Sequence, residues 1–248
     1  MLRGLNYDTR LWECVQIDNA EVEIPGRVIE FSLYHESASG LLVPKVLFER
    51  GTDEHQNATA EQVTDAFAET WLSHYPKPGR VRTDPEGAFQ SQVFRDFLAA
   101  NDIMYEVTAG DAHHQLGLLE RKIQTIKRLI VKLAHEFPHL SGTMLLAVAC
   151  SANNELERRK NYSPNQWAFG AAKPAWEDII TTGAPVYDDV TKVRIRAQEE
   201  WLRQRADDKL VLAQQARARN TRVYRPGETV MVWRSGKGTK SKPGWGGR

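Results

Sequence analysis

Asp18, Asp84 and Glu120 are the residues of this chain whose types and spacing could do chemistry together. Asp18 follows the apolar run "WECVQI", and Asp84 ends the short segment "RVRTD". Glu120 stands in "DAHHQLGLLERKIQTIK", where a polar, glycine-containing loop becomes a helix. Thirty-five residues, 85 to 119, separate Asp84 from Glu120. Carboxylates are hard oxygen ligands of the kind Mg²⁺ selects while keeping waters for a substrate. Such a set can hold two divalent cations about 3.5 to 4 Å apart, which clamp the attacking and leaving oxygens of an in-line phosphodiester displacement. One Asp would bridge the ions, and the other two acids would each complete one side. Each acid also has an ordinary reading. Asp18 can be a solvent-facing strand acid, with Glu21 or Glu23 mistaken for it; Asp84 can be a turn residue before Pro85; Glu120 can be a helix N-terminal acid favoured by the dipole. The combination favours the metal-ligand reading over the separate ones.

The elements that must position these acids follow from periodicity. "WECVQIDNAEVEI" (12–24), "VIEFSLY" (28–34) and "GLLVPKVLFE" (40–49) read as three strands of an antiparallel meander, the first two joined by turn chemistry at "PGR". Pro44 marks the third as an edge strand or a bulge. The period then changes. Val63, Phe67 and Trp71 recur at helical spacing, and Thr59 with Gln62 forms a capping-box signature. A short strand (79–84), a helix (91–101) and another strand (102–108) follow. Leu119, Ile123, Ile126, Ile130 and Leu133 recur at intervals of 4, 3, 4 and 3, the strongest helical pattern in the chain. A further helix is expected from Ser141 to Arg159, a loop or short helical turn over "YSPNQWAFG", and a charged helix from Thr191 to Arg219 with a solvated basic face. "YRPGETVMVWRSGKG" reads as a turn, a strand and a second turn, and the last residues, "TKSKPGWGGR", have no period. Strands first, then alternating strand and helix, imply an α/β fold: a mixed sheet with helices packed on it.

Composition is that of an ordinary globular chain, with 248 residues, 41% hydrophobic and 26% charged. Two cysteines make neither a disulfide framework nor a four-ligand zinc site, so a reduced intracellular setting is the default. No signal-peptide pattern is seen, and the longest apolar run, "MLLAVAC", is too short to span a bilayer, so no membrane partner is expected. The net charge of +1 hides a polarity. From residue 190 onward there are 15 Lys and Arg against 5 Asp and Glu, whereas the rest of the chain is net acidic. A basic tail on an acidic body suits a polyanion partner. "HEFPH" (135–139) matches the zinc-protease pattern, but Pro138 breaks the helix that both histidines would need to share.

At these residues the chain resembles the catalytic core of retroviral and LTR-retrotransposon integrases. The resemblance rests on the three acids with their spacing, on "TDPEGAF", on "HHQLGLLER", on "YSPNQWAFG" and, more weakly, on "YRPGETVMVWR". It implies an RNase H-like mixed five-stranded sheet flanked by helices, followed by a linker helix and a partial SH3-like β-barrel segment. The corresponding divisions are an extension (1–11), the core (12–172), a connecting segment (173–222) and a DNA-binding segment (223–248). The eleven residues before Trp12 leave no room for the zinc-binding domain that usually precedes such a core. The resemblance also implies that Asp18, Asp84 and Glu120 are catalytic and hold two Mg²⁺ or Mn²⁺ ions, for trimming a DNA 3′ end and joining it to target DNA. Gln124 and Lys127, four and seven residues after Glu120, would face the DNA ends, and His113 and His114 would touch DNA from the loop. Implied partners are DNA and further copies of the chain; the implied place of action is the nucleus, or the cytoplasm within a retroelement particle. Two alternatives stand beside this: an inactive or domesticated fragment that only binds DNA and multimerises, and a related transposase or nuclease.

Overall fold

The computed structural model describes residues 10–54, 56–85, 87–107, 117–159, 161–170, 188–215, 231–234 and 244–247. They form strands β1 (Cys14–Ile24), β2 (Arg27–Glu36), β3 (Leu42–Arg50), β4 (Arg80–Thr83) and β5 (Met104–Val107), then β6 (Met231–Arg234) and β7 (Gly244–Gly247). The helices are α1 (Ala60–Phe67), α2 (Gln92–Ala100), α3 (Gly117–Glu136), α4 (Gly142–Leu156), α5 (Pro164–Phe169) and α6 (Asp188–Gln215). Two compact units divide at Asp208/Lys209. The first holds a five-stranded sheet in the order β3-β2-β1-β4-β5. β1, β2 and β3 are antiparallel neighbours, whereas β4 runs parallel to both β1 and β5. The second unit contains the antiparallel pair β6–β7.

Alternation along the strands builds two cores, one on each face of the sheet. Val22, Ile24, Ile29, Phe31, Leu33 and Leu42 face α3 and α4. Val15, Ile17, Tyr34, Val43 and Val81 face α1 and α2, where Phe67, Trp71 and Phe94 close the layer. β2 lies between two strands and under both layers, so nearly all of it is buried. β1 and β2 are joined through Pro25 and Gly26, whose φ of +79° is the left-handed value that a turn with proline first and glycine second requires. Pro44 does lie on an edge strand, at the open side of β3.

The capping box forms as expected: the Thr59 hydroxyl accepts the Gln62 N–H, and the Gln62 side chain accepts the Thr59 N–H. The helical spacing of Val63, Phe67 and Trp71 spans α1 and a π-helical segment that follows it at Ala68–Leu72. Its wider turn carries fully buried Trp71, whose indole N–H donates to the Pro76 carbonyl at 3.1 Å. α3 ends at Glu136, before Pro138, so His135 and His139 do not share a helix.

Two expectations differ from what forms. α6 is not a helix with a solvated basic face along its whole length. Val193, Ala197 and Trp201, four residues apart, are buried in the α3–α4 core, and Glu200 is 3% exposed beside Lys132 (2.6 Å), Arg196 (3.1 Å) and Arg203 (2.8 Å). The stripe is narrow and most of its neighbours are charged, so it barely registers as a pattern. "GWGG", which has no period, pairs with β6 through its backbone. Residues 171–187, 216–230 and 235–243, and with them "YRPGETV", lie outside the described residues.

Candidate active site

Asp18 lies in mid-β1 at the point where that strand loses a neighbour. β4 pairs with β1 only from Cys14↔Arg80 to Ile17↔Thr83. Asp18 and Asp84 are the residues that follow the last pair of this parallel register, Ile17↔Thr83. Residues at one level of a parallel pair share a face, and neighbouring strands lie about 4.8 Å apart. Both aspartates therefore belong to the α3–α4 side of the sheet, and both are half-buried. Beyond Thr83, β1 continues to Ile24 without β4, which leaves the edge at the two acids open.

The loop after Asp84 is anchored. Phe89 is 1% exposed and packs against Phe94, and its carbonyl accepts the Tyr105 hydroxyl at 2.8 Å. That hydroxyl also lies 3.2 Å from the fully buried Thr83 Oγ1. Tyr105 of β5 thus ties the C-terminal end of β4 to the Phe89 loop. This is the physical content of "TDPEGAF": Thr83 and Phe89 hold the backbone on both sides of the acid.

Glu120 sits in the first turn of α3, exposed, between buried Leu119 and Ile123. Its position on the outer edge of the apolar seam is the one that the 4-3-4-3 spacing predicts. Among the described residues, no three His, Cys, Asp or Glu side chains form a group that could hold one metal ion. Asp18 and Asp84 each follow the last paired residues of β1 and β4, and Glu120 does not close them into a cluster. Gln124 is exposed and Lys127 half-buried on α3. At four and seven residues from Glu120 they keep to its side of the helix. His113 and His114 lie outside the described residues. Arg128, also on α3, lies 3.6 Å from Asp208 of α6.

Several polar residues near the acids carry no signal in the sequence. His35, Gln16, Arg82 and Glu106 stand in one register row across β2, β1, β4 and β5, two residues before the aspartate level. His35 Nδ1 lies 3.1 Å from Gln16 Oε1, and Arg82 lies 3.1 Å from Glu106. Burial, reinforced by Lys122 and Arg159, pushes the His35 pKa down to about 3. Lys122, two residues after Glu120, turns inward: its ammonium donates to Asn153 Oδ1 and meets Glu157, each at 3.1 Å. Burial lowers its pKa, and Glu157 opposes that shift. On the other face of β1, Asn19, Glu21, Glu30, Asn57, Gly87 and Phe89 line a cleft of about 400 Å³. Glu21 and Glu30 stand directly opposite each other, and burial raises the Glu30 pKa. This acidic lining disfavours phosphate.

The donor set suits a hard cation. Two half-exposed carboxylates, one after each of the last paired residues of β1 and β4, are oxygen ligands of the kind such an ion takes while retaining waters.

No protein-family model matches the chain. Over 99 residues it is 30% identical to the Pro-Pol polyprotein of simian foamy virus type 3 (strain LK3), a match covering 40% of this chain and 9% of that protein. The Pro-Pol polyprotein of simian foamy virus type 1 is 31% identical over 93 residues, covering 38% and 8%. The chain thus matches less than a tenth of the length of these curated relatives. Among solved structures, an HTLV-2 integrase catalytic core domain in complex with magnesium superposes with a TM-score of 0.52 at 20% identity, covering 65% of this chain and 97% of that one. The catalytic core domain of BIV integrase gives 0.51 at 14%, covering 69% and 99%. A chain of the simian T-cell lymphotropic virus intasome, solved with the PP2A regulatory subunit B56 gamma, gives 0.57 at 18%, covering 67% and 58%. The first unit of this chain has the fold of the retroviral integrase catalytic core.

Proposed function

We propose that the chain is the catalytic part of a retroelement integrase, which processes DNA 3′ ends and joins them to target DNA. The observation that carries this reading is that Asp18 and Asp84 directly follow the last pair of a parallel register, Ile17↔Thr83, with Glu120 in the first turn of the helix packed on the α3–α4 face. Asp18 and Asp84 are assigned as the shared cation ligands, and Glu120 as the ligand that completes the site when substrate and metal are bound. Bound Mg²⁺ or Mn²⁺, two ions per site, would activate the attacking oxygen and stabilise the leaving one. Gln124 and Lys127 continue the polar stripe of α3 away from Glu120 and are assigned to the DNA end, with His113 and His114 on the preceding segment. The lysine offers a point charge to a phosphate and the glutamine a donor and an acceptor to a base edge. The magnesium complex of the HTLV-2 core supports the metal, and the dimeric and trimeric forms of that core support further copies of the chain as partners. Integration into chromosomal DNA would place its work in the nucleus.

The test is a strand-transfer and nicking assay with labelled DNA ends, a target plasmid and Mg²⁺ or Mn²⁺. The wild-type chain is expected to act, and Asp18→Asn, Asp84→Asn and Glu120→Gln to lose activity by at least about a hundredfold, the scale of removing a group that stabilises transition-state charge. Metal-independent activity, or full activity in all three variants, overturns the assignment. Salt-dependent DNA binding without any turnover would instead indicate a DNA-binding relic.

A further inference from the structure

A pocket of about 150 Å³ opens between α3, α4 and α6. Among the described residues it is lined by Arg121, Lys122 and Thr125 of α3, Asn153 of α4, Glu157 directly after α4, and Arg205 of α6. Lys122 and Thr125 lie nearly half a turn round α3 from Glu120, so the pocket is apart from the catalytic acids. Its charge does not balance. Arg121, Lys122 and Arg205 are cations, and Glu157 is the acid of this lining. Glu157 is shared, meeting Lys122 at 3.1 Å and Arg205 at 3.2 Å. Arg121 donates through Nε to the Gly117 carbonyl at 2.9 Å, and among the described residues no acid pairs with it. Two of the cations are held in place. Arg205 lies over the Trp201 ring, 5.4 Å from its centroid, and the Lys122 ammonium, on a side chain 17% exposed, also donates to Asn153 Oδ1. Burial lowers the Lys122 pKa; Glu157 opposes that shift, and Arg205 and Arg159 add to it. Arg159 itself donates to the Ser37 and Ala38 carbonyls.

We propose that this pocket binds a phosphate group, at a site separate from the catalytic acids. Positive charge withdrawn from water is costly unless an anion joins it. Phosphate oxygens meet that need through charge-assisted bonds from guanidinium and ammonium groups. Arg121 brings the Nη donors of a guanidinium without an acid, and Arg205 a guanidinium already oriented by Trp201. An ammonium has three N–H donors, and Lys122 spends two of them on Asn153 and Glu157. Glu157 holds Lys122 and Arg205 in place, and the cationic excess over it attracts the anion. The pocket has the volume of about five waters, which admits a phosphate group. The same oxygens are presented by a free phosphate compound and by the backbone of a nucleic acid. An anion held here would tie α6, through Arg205, to the helix that carries Glu120. The inference does not depend on the metal-site reading above.

The experiment titrates pyrophosphate, and separately a short oligothymidylate, into the full chain by calorimetry. Ionic strength is fixed and divalent cations are left out, so that no metal at the catalytic acids can hold a phosphate. Arg121→Gln and Arg205→Gln are expected to weaken binding by about tenfold or more, the scale of one hydrogen bond between charged groups. Arg121→Lys, which keeps the charge, should lose less, and Arg128→Gln, on α3 but outside the pocket, should bind as wild type. Thermal melting of each variant controls for folding, and Arg121 is exposed, so its replacement leaves the core untouched. Pyrophosphate binding that depends on Arg121 and Arg205 assigns the pocket to free phosphate compounds. The same dependence with the oligonucleotide alone assigns it to a nucleic-acid backbone. If neither probe binds, or if both arginine variants bind as wild type does, the inference is overturned. Asp18→Asn should bind both probes like wild type, so this test and that of the catalytic acids can fail separately.

Discussion

His35 takes its meaning from its surroundings. In the sequence it stands in "YHES" beside an ordinary strand pattern; in the fold it is enclosed, and its Nδ1 faces Gln16 Oε1. Its folded pKa of about 3 lies well below the ordinary value of 6.5. Between those values the unfolded chain takes up a proton that the folded chain refuses, so stability is complete above pH 6.5 and falls as the pH drops toward 3. The loss is at most about 1.4 kcal/mol for each pH unit. Denaturant unfolding between pH 7 and 5 should show this slope, and His35→Gln should flatten it. A wild-type midpoint that does not move over that range would count against the assignment. Neighbouring Glu36 is equally silent in the sequence. It is fully buried, accepting the Trp12, Ala38 and Ser39 backbone N–H groups and the Ser39 hydroxyl, and so fixes the β2–β3 turn. By contrast, Asp18, Asp84 and Glu120 are legible in the sequence because their spacing and flanking residues form a pattern.

At the scale of elements, α6 joins the first unit to the second, and its docking depends on a buried charge. Glu200 is nearly inaccessible and accepts from Lys132 at 2.6 Å, and these contacts hold its pKa below the usual 4.5. Its contribution is present above pH 4.5 and disappears as the pH falls through the depressed folded value, a window that opens at a lower pH than that of His35. Glu200→Gln leaves Lys132, Arg196 and Arg203 without their shared anion and should cost about 1–3 kcal/mol in unfolding free energy. Chemical denaturation at pH 7 checks this, and an unchanged midpoint would mean that α6 does not depend on the interaction. The helix itself is readable from sequence, but its docking is not. Val193, Ala197 and Trp201 make a seam only one residue wide, and α3 and α4 decide what it meets.

For the whole molecule the decisive quantity is where unneutralised charge remains. In the first unit, arginines of α6 are paired with acids: Arg196 with Glu136 and Glu200, and Arg205 with Glu157. From Lys209 onward the second unit has ten Lys and Arg and a single acid, Glu228. A polyanion partner is therefore expected to be held mainly by the second unit, through counterion release. Replacing Lys237, Lys240 and Lys242 with alanine should weaken DNA binding at every sequence tested. It should also make the slope of log K against log salt shallower, by about one for each phosphate that these lysines neutralise. A slope equal to wild type would place the DNA-binding surface elsewhere.

The sequence by itself determined the order of elements, the capping box, the end of α3 before Pro138 and the three candidate carboxylates. These are local properties, written in periods of two and 3.6 and in proline and cap chemistry. Tertiary structure alone decided that Ile17 and Thr83, the residues before Asp18 and Asp84, pair with each other, because register between distant strands is set by the packing of both faces together. It also decided that Arg82 meets Glu106, that Lys122 turns inward and that α6 lies on the core. Arg82 and Glu106 stand 24 residues apart along the chain and Lys122 and Asn153 stand 31 apart, and no local period couples residues at that range.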